Sequence, residues 1–291
     1  MNFAIITNFN IPDKASAAFR VIETLRAKGC GIYTANFNRE RIARVNSEFN
    51  TDDIEFLPLE KLYQAVDVAI ILGGDGTILE AARRAVPAGK PMLGINLGTL
   101  GYMAELEADE IERISEVIDG NYRLDERMVL KIEVFDEKEN LKQVSFALND
   151  AVISNGSVSR IIDLSLLKDD EEVCTYRADG VIVSTPTGST AYSMAAGGSI
   201  MDPNVSAFCV TPICPHSLTS KQLIFPDKSK VEIKNRSVRE KKLFLTLDGK
   251  STQELELGDV VKFTKSMMKA KLIRIKNDNF YKKLRQKFET I

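Results

Sequence analysis

The run Gly73-Gly74-Asp75-Gly76-Thr77 holds the residues of this chain that are best suited to phosphate chemistry. Glycines at a turn permit positive φ and let backbone N–H groups approach a ligand without a Cβ atom in the way. The N–H groups at the start of a following helix then form a site for anions. The run therefore predicts a phosphate-binding turn, made by its three glycines and its threonine.

Asp75 needs a separate explanation, because a carboxylate inside such a turn repels a bare phosphate. It can hold Mg²⁺ against the phosphates, or it can accept a proton from an attacking hydroxyl group. A purely structural alternative is that Asp75 caps the helix, since aspartate favours that position. The apolar strand directly before the run and the threonine directly after it favour the two chemical interpretations.

The turn is predicted to lie in a domain of alternating strands and helices. Residues 68–72, VAIIL, are apolar on both faces, as in a central parallel strand covered by helices. A helix over 77–86 follows, and Pro87 ends it. Strands over 3–7 and 92–95 and a helix over 13–28 continue the alternation. This pattern predicts a doubly wound parallel α/β domain.

The pattern changes after residue 120. Residues 129–135 alternate apolar and polar side chains, and a polar turn leads into a second long strand over 141–154, which predicts a hairpin. Later strand-like runs predict a mainly antiparallel, sandwich-like β domain. The tail, 277–290, is predicted to be a helix that buries an apolar face and returns to the first domain. The predicted domains are 1–121 with 268–291, and 122–267.

Composition excludes several classes of function. Lys plus Arg is 39 and Asp plus Glu is 41, so a net charge of −2 gives no reason to expect a nucleic acid or an anionic membrane as partner. The sequence has no run of about eighteen apolar residues, so no membrane span is predicted.

The cysteines and the N-terminus predict the compartment. The four cysteines are scattered, and the N-terminus resembles a strand and not a signal peptide, so a cytoplasmic protein is predicted. Cys209, Cys214 and His216 could form a zinc site or a Cys–His nucleophile, but a packed loop is the favoured interpretation.

Two common nucleotide-binding motifs are missing. Gly249-Lys250-Ser251 resembles the end of a P-loop, but Phe244 stands where its first glycine belongs. Leu79 stands where the dinucleotide fingerprint G-x-G-x-x-G requires its last glycine. The chain is therefore predicted to be neither a P-loop enzyme nor an ordinary dinucleotide-dependent oxidoreductase.

A strand, GGDGT and a helix in succession resemble the signature of a kinase superfamily. It includes the NAD kinases, the 6-phosphofructokinases and the diacylglycerol and sphingosine kinases. Three later stretches favour the NAD kinases. Residues 96–103, NLGTLGYM, resemble their N-x-G-x-x-G-F-L loop, Asn149-Asp150 resembles their L-N-E motif, and 186–193, PTGSTAYS, matches their longest motif. Further similarity at 215–218 and 248–249 extends the resemblance over nearly the whole chain.

The resemblance implies an ATP-dependent, Mg²⁺-assisted phosphorylation of the 2′-hydroxyl of NAD's adenosine ribose, which makes this a transferase of NADP biosynthesis. Asp75 would be the catalytic base or orienting group, and NAD would lie between the two domains. Family members are homo-oligomers, so a homodimer or homotetramer is expected. The residues implied for NAD binding are Asp75, Gly76, Leu100, Tyr102, Asn149, Asp150, Arg160, Arg177, Asp179, Thr187, Thr190, Ala191, Tyr192, Ser193 and Ala195.

Two of these contacts also make chemical sense by themselves. An asparagine amide such as Asn149 can pair with the N6 and N7 edge of adenine. The ionised Asp150 accepts hydrogen bonds, which suits ribose hydroxyl groups. The sequence departs from the family's pattern in three places: Asp150 replaces a glutamate, Lys250 a glutamine and Tyr102 a phenylalanine.

Two other functions stay open at the level of sequence. A lipid kinase of the diacylglycerol kinase type shares GGDGT, but it should carry an apolar or basic membrane-facing element, and the sequence shows none. A non-catalytic sensor of NAD or NADP would have little use for Asp75 among phosphates. The ligands of Mg²⁺ and the range of phosphoryl donors do not follow from the sequence.

Overall fold

The computed structural model describes residues 1–99, 101–156, 161–217, 219–237, 242–277 and 280–289. The chain forms two compact units. The first is Met1–Glu126 with Ala270–Ile291, and the second is Arg127–Lys269.

The first unit is built on a parallel sheet with the strand order β5-β4-β1-β2-β3. Both faces of the sheet are covered, as the sequence predicts for a doubly wound domain. Its elements are β1 (Asn2–Ile6), α1 (Pro12–Ala27), β2 (Gly31–Ala35), α2 (Asn38–Val45), β3 (Ile54–Leu57), α3 (Leu59–Ala65), β4 (Val68–Leu72), α4 (Asp75–Ala85), β5 (Met92–Asn96), β6 (Leu106–Glu107) and α5 (Ile114–Ile118).

Strand β4 and helix α4 place the glycine-rich turn. All five residues of β4 are buried, because the strand lies between β1 and β5 and carries helices on both faces. In α4 the buried residues recur at helical spacing: Ile78, Ala81, Ala82 and Ala85. The turn therefore lies at the carboxyl end of a central strand, where open α/β sheets bind ligands.

The second unit consists of antiparallel strands around one core. Its elements are β7 (Arg123–Phe135), β8 (Leu141–Ala147), β9 (Asp150–Asn155), β10 (Ile162–Lys168), β11 (Glu171–Ala178), β12 (Gly180–Ser184), α6 (Tyr192–Ala195), β13 (Ala207–Ile213), β14 (Leu223–Pro226), β15 (Val231–Asn235), β16 (Lys242–Leu247), β17 (Ser251–Glu256) and β18 (Val260–Arg274). Six of them form a sheet with the order β14-β13-β12-β9-β16-β17. Side chains from this sheet and from β7, β10, β15 and β18 share one apolar core, so the predicted class of α/β plus an antiparallel β sandwich is confirmed.

Two sequence predictions are wrong in this region. The single strand expected over 141–154 is two strands, β8 and β9, which belong to different sheets and are separated at Leu148-Asn149. The physical reason is a set of hydrogen bonds that turn the chain there. The C-terminal helix α7 (Phe280–Glu289) is part of the first unit, but it has no fully buried residue: of the apolar face expected for it, Phe280 and Leu284 are half-buried and Tyr281 and Phe288 are exposed.

Candidate active site

The glycine-rich turn is fixed at both ends by the protein's own hydrogen bonds. The amide of Gly73 donates to the carbonyl of Ile95 at 2.9 Å, and the amide of Thr77 donates to the carbonyl of Gly74 at 2.9 Å. A Cβ atom at Gly73 would lie 2.4 Å from Oγ1 of Thr77, so a larger residue does not fit there. Because helix α4 begins at Asp75, its first amides have no acceptor within the helix. The amides of Gly74, Asp75 and Gly76 are thus the ones suited to an anion.

The Asp75 side chain contacts the loop of residues 101–105. Its Oδ2 accepts the amide of Tyr102 at 2.8 Å, and its Oδ1 accepts the amide of Met103 at 3.0 Å. The N-cap of α4 is Gly74, and Asp75 is already the first helical residue. The helix-cap interpretation is therefore excluded. Each carboxylate oxygen keeps a lone pair for another donor, because a carboxylate accepts about four hydrogen bonds.

Gly101 is required for this contact. A Cβ atom at Gly101 would lie 2.3 Å from Oδ1 of Asp75 and 2.8 Å from its Cγ. Real Cβ atoms do not approach oxygen so closely, so any side chain here displaces the Asp75 carboxylate. The carboxylate thus lies directly against the backbone of the loop, where only a glycine leaves room for it.

The carbonyl side of the same loop is bound by two basic residues that the sequence prediction missed. Arg274 donates to the carbonyls of Met103 at 2.9 Å and Ala104 at 3.3 Å, and it pairs with Glu105 at 3.2 Å. Nζ of Lys283 also donates to the carbonyl of Ala104. Burial, and then the charge of Arg274, lowers the pKa of Lys283 to about 8. Nothing in the sequence pairs residues that lie about 170 to 180 positions apart.

Tyr102, one of the residues that the family resemblance implies for NAD binding, is 9% exposed. Its hydroxyl oxygen is buried and has no hydrogen-bond partner among the described residues. Burial first, and then the charge of Asp75, raises the pKa of Tyr102. Its ring lies 6.0 Å from that of Phe280, and Nζ of Lys287 lies 4.5 Å from its centroid. The predicted neighbour Leu100 lies outside the described residues.

In the second unit, one carboxylate holds the corner between β8 and β9. Asp248 accepts the amides of Leu148 at 2.9 Å, Asn149 at 2.7 Å and Asp150 at 3.2 Å. The amide of Asp248 donates in return to the carbonyl of Asp150 at 3.0 Å. Asp248 has a positive φ of 48°, a conformation that aspartate tolerates better than most residues. These hydrogen bonds explain why the predicted long strand is interrupted at Asn149-Asp150.

Asn149 and the segment 185–188 pack closely together. The carbonyl of Asn149 accepts the amide of Thr185 at 2.9 Å, and a Cβ atom at Gly188 would lie 2.0 Å from that carbonyl oxygen. The Asn149 side chain is 9% exposed, and its Oδ1 has no partner among the described residues. A buried acceptor without a donor is unfavourable by about 1–3 kcal/mol. The amide is therefore suited to accept a ligand's N–H group.

Asp150 is the most perturbed carboxyl group of this corner. It is 4% exposed, and burial, with the charge of Asp248 as a second cause, raises its pKa to about 7. An ordinary aspartate is fully ionised at neutral pH. Asp150 instead changes charge in the neutral range, which is typical of residues at functional sites.

The segment after β12 places the predicted NAD-binding residues in different environments. Residues Thr187–Thr190 form a 3₁₀ turn, and Thr187 accepts a hydrogen bond from the buried Arg127 at 3.3 Å. Ser193 is fully buried, with its Oγ 3.0 Å from Oγ1 of Thr211. Tyr192 is 46% exposed. The remaining predicted residues here, Thr190, Ala191 and Ala195, are half-buried or exposed.

Arg177 and Asp179 lie at the end of β11 and directly after it. Both are exposed, and Nε of Arg177 pairs with Asp163 at 3.2 Å. The carbonyl of Arg177 accepts the amide of His216 at 2.8 Å, and the amide of Asp179 donates to Ile213 at 3.0 Å. The other predicted arginine, Arg160, lies outside the described residues. Within the described ranges, no group of three His, Cys, Asp or Glu side chains could hold a metal ion.

Comparison with known proteins places both units in one family. The sequence model of the ATP-NAD kinase N-terminal domain matches residues 3–122, and that of the ATP-NAD kinase C-terminal domain matches residues 148–275. The chain is 40% identical over 235 residues to the NAD kinase of Carboxydothermus hydrogenoformans, which covers 80% of this chain and 83% of that protein. It is 36% identical over 292 residues to the NAD kinase of Lachnoclostridium phytofermentans, with 98% of both chains covered.

Solved structures agree with this result. The crystal structure of yeast NADH kinase complexed with NADH superposes with a TM-score of 0.88 at 27% identity, covering 98% of this chain and 87% of that one. An NAD kinase from Archaeoglobus fulgidus in complex with ATP superposes with a TM-score of 0.73 over 100% of both chains; at 22% identity it shows the fold alone. Among the described residues, no helix is long and apolar enough to span a membrane.

Proposed function

The chain belongs to the ATP-NAD kinase family, and we propose that it transfers the γ-phosphoryl group of ATP to the 2′-hydroxyl of NAD's adenosine ribose, giving NADP. The observation that carries this proposal is the Asp75 carboxylate. It lies at the start of a helix in a glycine-rich turn, and two backbone amides hold it in place. A sensor or a structural protein has no need of a carboxylate fixed beside an anion site.

The amides of Gly74, Asp75 and Gly76 bind the donor's phosphates. They are the first amides of α4, and the partial positive charge at a helix N-terminus favours an anion. Gly73 and Thr77 support the turn instead, because their amides already donate to carbonyls of the protein. In the absence of a side chain at Gly74 and Gly76, phosphate oxygens can approach the backbone.

Asp75 orients the 2′-hydroxyl and accepts its proton as the phosphoryl group transfers. The amides of Tyr102 and Met103 fix the rotamer of its carboxylate before substrate arrives. Phosphoryl transfer depends mainly on positioning and charge neutralisation, so a fixed orientation contributes directly to rate. General-base assistance typically contributes about 10²–10⁴-fold.

Asn149 and Asp150 bind the adenosine. The unpaired Oδ1 of Asn149 accepts from the N6 amino group of adenine while its amide nitrogen donates to N7. Asp150 accepts from the ribose hydroxyls once it is ionised. We assign the remaining contacts to other positions implied by the family: the buried Thr187 and the exposed or half-buried Arg177, Asp179, Thr190, Ala191, Tyr192 and Ala195. Ser193 supports this segment from the interior, because its hydroxyl contacts Thr211.

The divalent cation of the reaction needs few protein ligands. Mg²⁺ is usually bound by one or two carboxylates together with substrate phosphates and water. The phosphate turn has one carboxylate, that of Asp75. One carboxylate is enough for a Mg²⁺ ion whose other ligands are ATP phosphates and water, so the residues present fit the ion. When bound, the ion neutralises charge on the transferred phosphoryl group. We further propose a cytoplasmic enzyme that forms homodimers or homotetramers.

One assay tests the proposal against its rivals. The purified protein is incubated with ATP and Mg²⁺ together with NAD, NADH or a diacylglycerol dispersion, and the products are separated by chromatography. Formation of NADP or NADPH at a rate that depends on enzyme concentration supports the proposal. Phosphatidic acid would indicate a lipid kinase instead, and nucleotide binding with no phosphorylated product would indicate a sensor.

A further inference from the structure

We propose that Lys283 of the C-terminal helix is a positioning residue of the kinase site, which holds Asp75 in its working orientation through the loop of residues 101–105. The proposal rests on the proposed function, because it assumes that Asp75 acts in phosphoryl transfer. It assigns a role in that reaction to a part of the chain that lies beyond residue 275, where the match to the family's C-terminal domain ends.

The loop is bound on opposite sides of its backbone. On the amide side, Asp75 accepts from Tyr102 and Met103 at 2.8 and 3.0 Å. On the carbonyl side, Lys283 donates to Ala104, the residue directly after Met103, and Arg274 donates to the carbonyls of both residues. The Ala104 carbonyl and the Met103 amide lie on either side of the planar 103–104 peptide, so a shift of one is transmitted to the other through the backbone dihedrals of these two adjacent residues. Removal of the Lys283 amine should therefore change the orientation of the Asp75 carboxylate through Ala104 and Met103.

Helix α7 contacts this loop with one face. Phe280, Lys283 and Lys287 follow the spacing i, i+3, i+7, which places them along one side of a helix. Phe280 and Lys287 contact the Tyr102 ring, and Lys283 binds the next part of the loop. Each of these three residues therefore contacts the loop, at Tyr102 or at Ala104.

A contribution to the core does not account for α7. The helix has ten residues, none of which is buried, and Tyr281 and Phe288 are 54% and 50% exposed. Isolated helices of this length are marginal in water. What α7 provides is a set of cations and one aromatic ring for the loop that carries the Asp75 contacts.

The charges around Lys283 indicate a specific placement. Arg274 and Lys276 oppose its positive charge, and Glu105 and Asp75 favour it, while partial burial removes water. A lysine held beside an arginine is locally unfavourable, and such local conflicts concentrate at functional sites. An apolar side chain would avoid this repulsion, but it would provide no donor for Ala104, whose carbonyl would keep only the 3.3 Å contact from Arg274.

The test compares three variants in the full-length protein. Lys283→Met keeps the length and apolar stem but removes the charge and the donor. Lys283→Arg keeps both, and Arg285→Met removes a cation from an exposed position of the same helix as a matched control. We expect Lys283→Met to lower kcat at least about tenfold, with KM for NAD and ATP within about twofold, because positioning acts in the transition state.

Rescue separates positioning from general stability. Lys283→Arg should recover kcat to within about threefold of the parent protein, and Arg285→Met should stay within about twofold. All three should unfold at temperatures within a few degrees of the parent. Normal kcat in Lys283→Met, or an equal loss in Arg285→Met, would overturn the proposal, as would a loss that Lys283→Arg does not repair.

A second measurement keeps the inference distinct from the proposed function. Hydrogen–deuterium exchange reports the amides of Tyr102 and Met103 directly, without any substrate. Lys283→Met should speed their exchange about tenfold, and Arg285→Met should leave it unchanged. If the parent protein makes no NADP, the proposed function fails and the exchange data still decide the coupling; if it makes NADP and exchange is unaffected, the coupling alone fails.

Discussion

Oδ2 of Asp75 accepts the backbone amide of Tyr102 at 2.8 Å, so the residue expected to act on the ribose hydroxyl is held by the loop that follows the next strand. The neighbouring amide of Met103 engages the other carboxylate oxygen at 3.0 Å. The Asp75 side chain thus has two functions: it orders the loop, and its remaining lone pairs can accept a hydrogen bond from a ligand. Removing its charge should therefore affect catalysis more than folding.

Asp75→Asn tests this directly. The amide keeps one acceptor for the loop and presents an NH₂ group to the other backbone amide, so the loop loses one hydrogen bond. We expect kcat to fall at least about 10²-fold, the lower end of general-base effects, while the unfolding temperature drops by only a few degrees. Steady-state kinetics and thermal unfolding measure both. Asp109→Asn, at an exposed aspartate, is the matched control, and near-normal turnover in Asp75→Asn would remove it from the catalytic role.

Gly101→Ala tests the geometry of the same contact without touching the carboxylate. Its Cβ would lie 2.3 Å from Oδ1 of Asp75, so either the side chain or the loop must move. We expect kcat to fall at least about tenfold, because a displaced catalytic group loses orientation. At Gly98, three residues earlier, a Cβ meets nothing within 4 Å, so Gly98→Ala should reduce kcat far less. Equal kinetics in the two variants would contradict the assigned contact.

Asp248→Ala tests the support of the corner between β8 and β9, where we propose that adenosine binds. It removes the acceptor of three backbone amides, those of residues 148–150. An unsatisfied buried amide is unfavourable by about 1–3 kcal/mol, and local relaxation recovers part of this, so we expect a loss of about 2–4 kcal/mol in unfolding free energy. KM for NAD should rise because Asn149 and Asp150 lose their placement. Chemical denaturation and kinetics measure the two effects, and Asp248→Asn, which keeps one acceptor, should lie between.

Part of this site was predictable because its signals are local in sequence. The apolar run 68–72, the glycines after it and the amphipathic residues of α4 predict a strand, a turn and a helix, and the structure has them in that order. The family's motifs added the choice of NAD, and the comparisons confirm that family. The helix begins two residues earlier than expected, at Asp75, because Gly74 takes the capping position.

The rest depends on contacts between distant parts of the chain, which periodicity does not encode. Residues 141–154 read as one strand because apolar residues continue through Leu148, and only the three amides bound by Asp248, about 100 residues later, reveal the corner. The tail read as an apolar helix face, but the structure has Lys283 and Lys287 on its contacting side. The roles assigned to individual site residues stay predictions.

Asp150 should make NAD binding depend on pH in the neutral range. Its pKa rises from 3.8 to about 7 on folding, chiefly through burial and then through Asp248. Between these values the folded protein holds a proton that the unfolded chain has lost, so this group's contribution to stability falls as pH rises through the window. Ribose hydroxyl donors favour the ionised form, so NAD should lower the pKa again and release a proton near pH 7.

Titration calorimetry measures this linkage. The Kd for NAD should weaken about tenfold from pH 8 to pH 6, since a group with a pKa of about 7 must lose its proton to bind. Buffers of different ionisation enthalpy should report proton release at pH 7. In Asp150→Asn the Kd should not change over this range, and the variant should gain stability relative to the parent at pH 8 but not at pH 5. A parent Kd independent of pH, or an unchanged slope in Asp150→Asn, would exclude Asp150 as the titrating group.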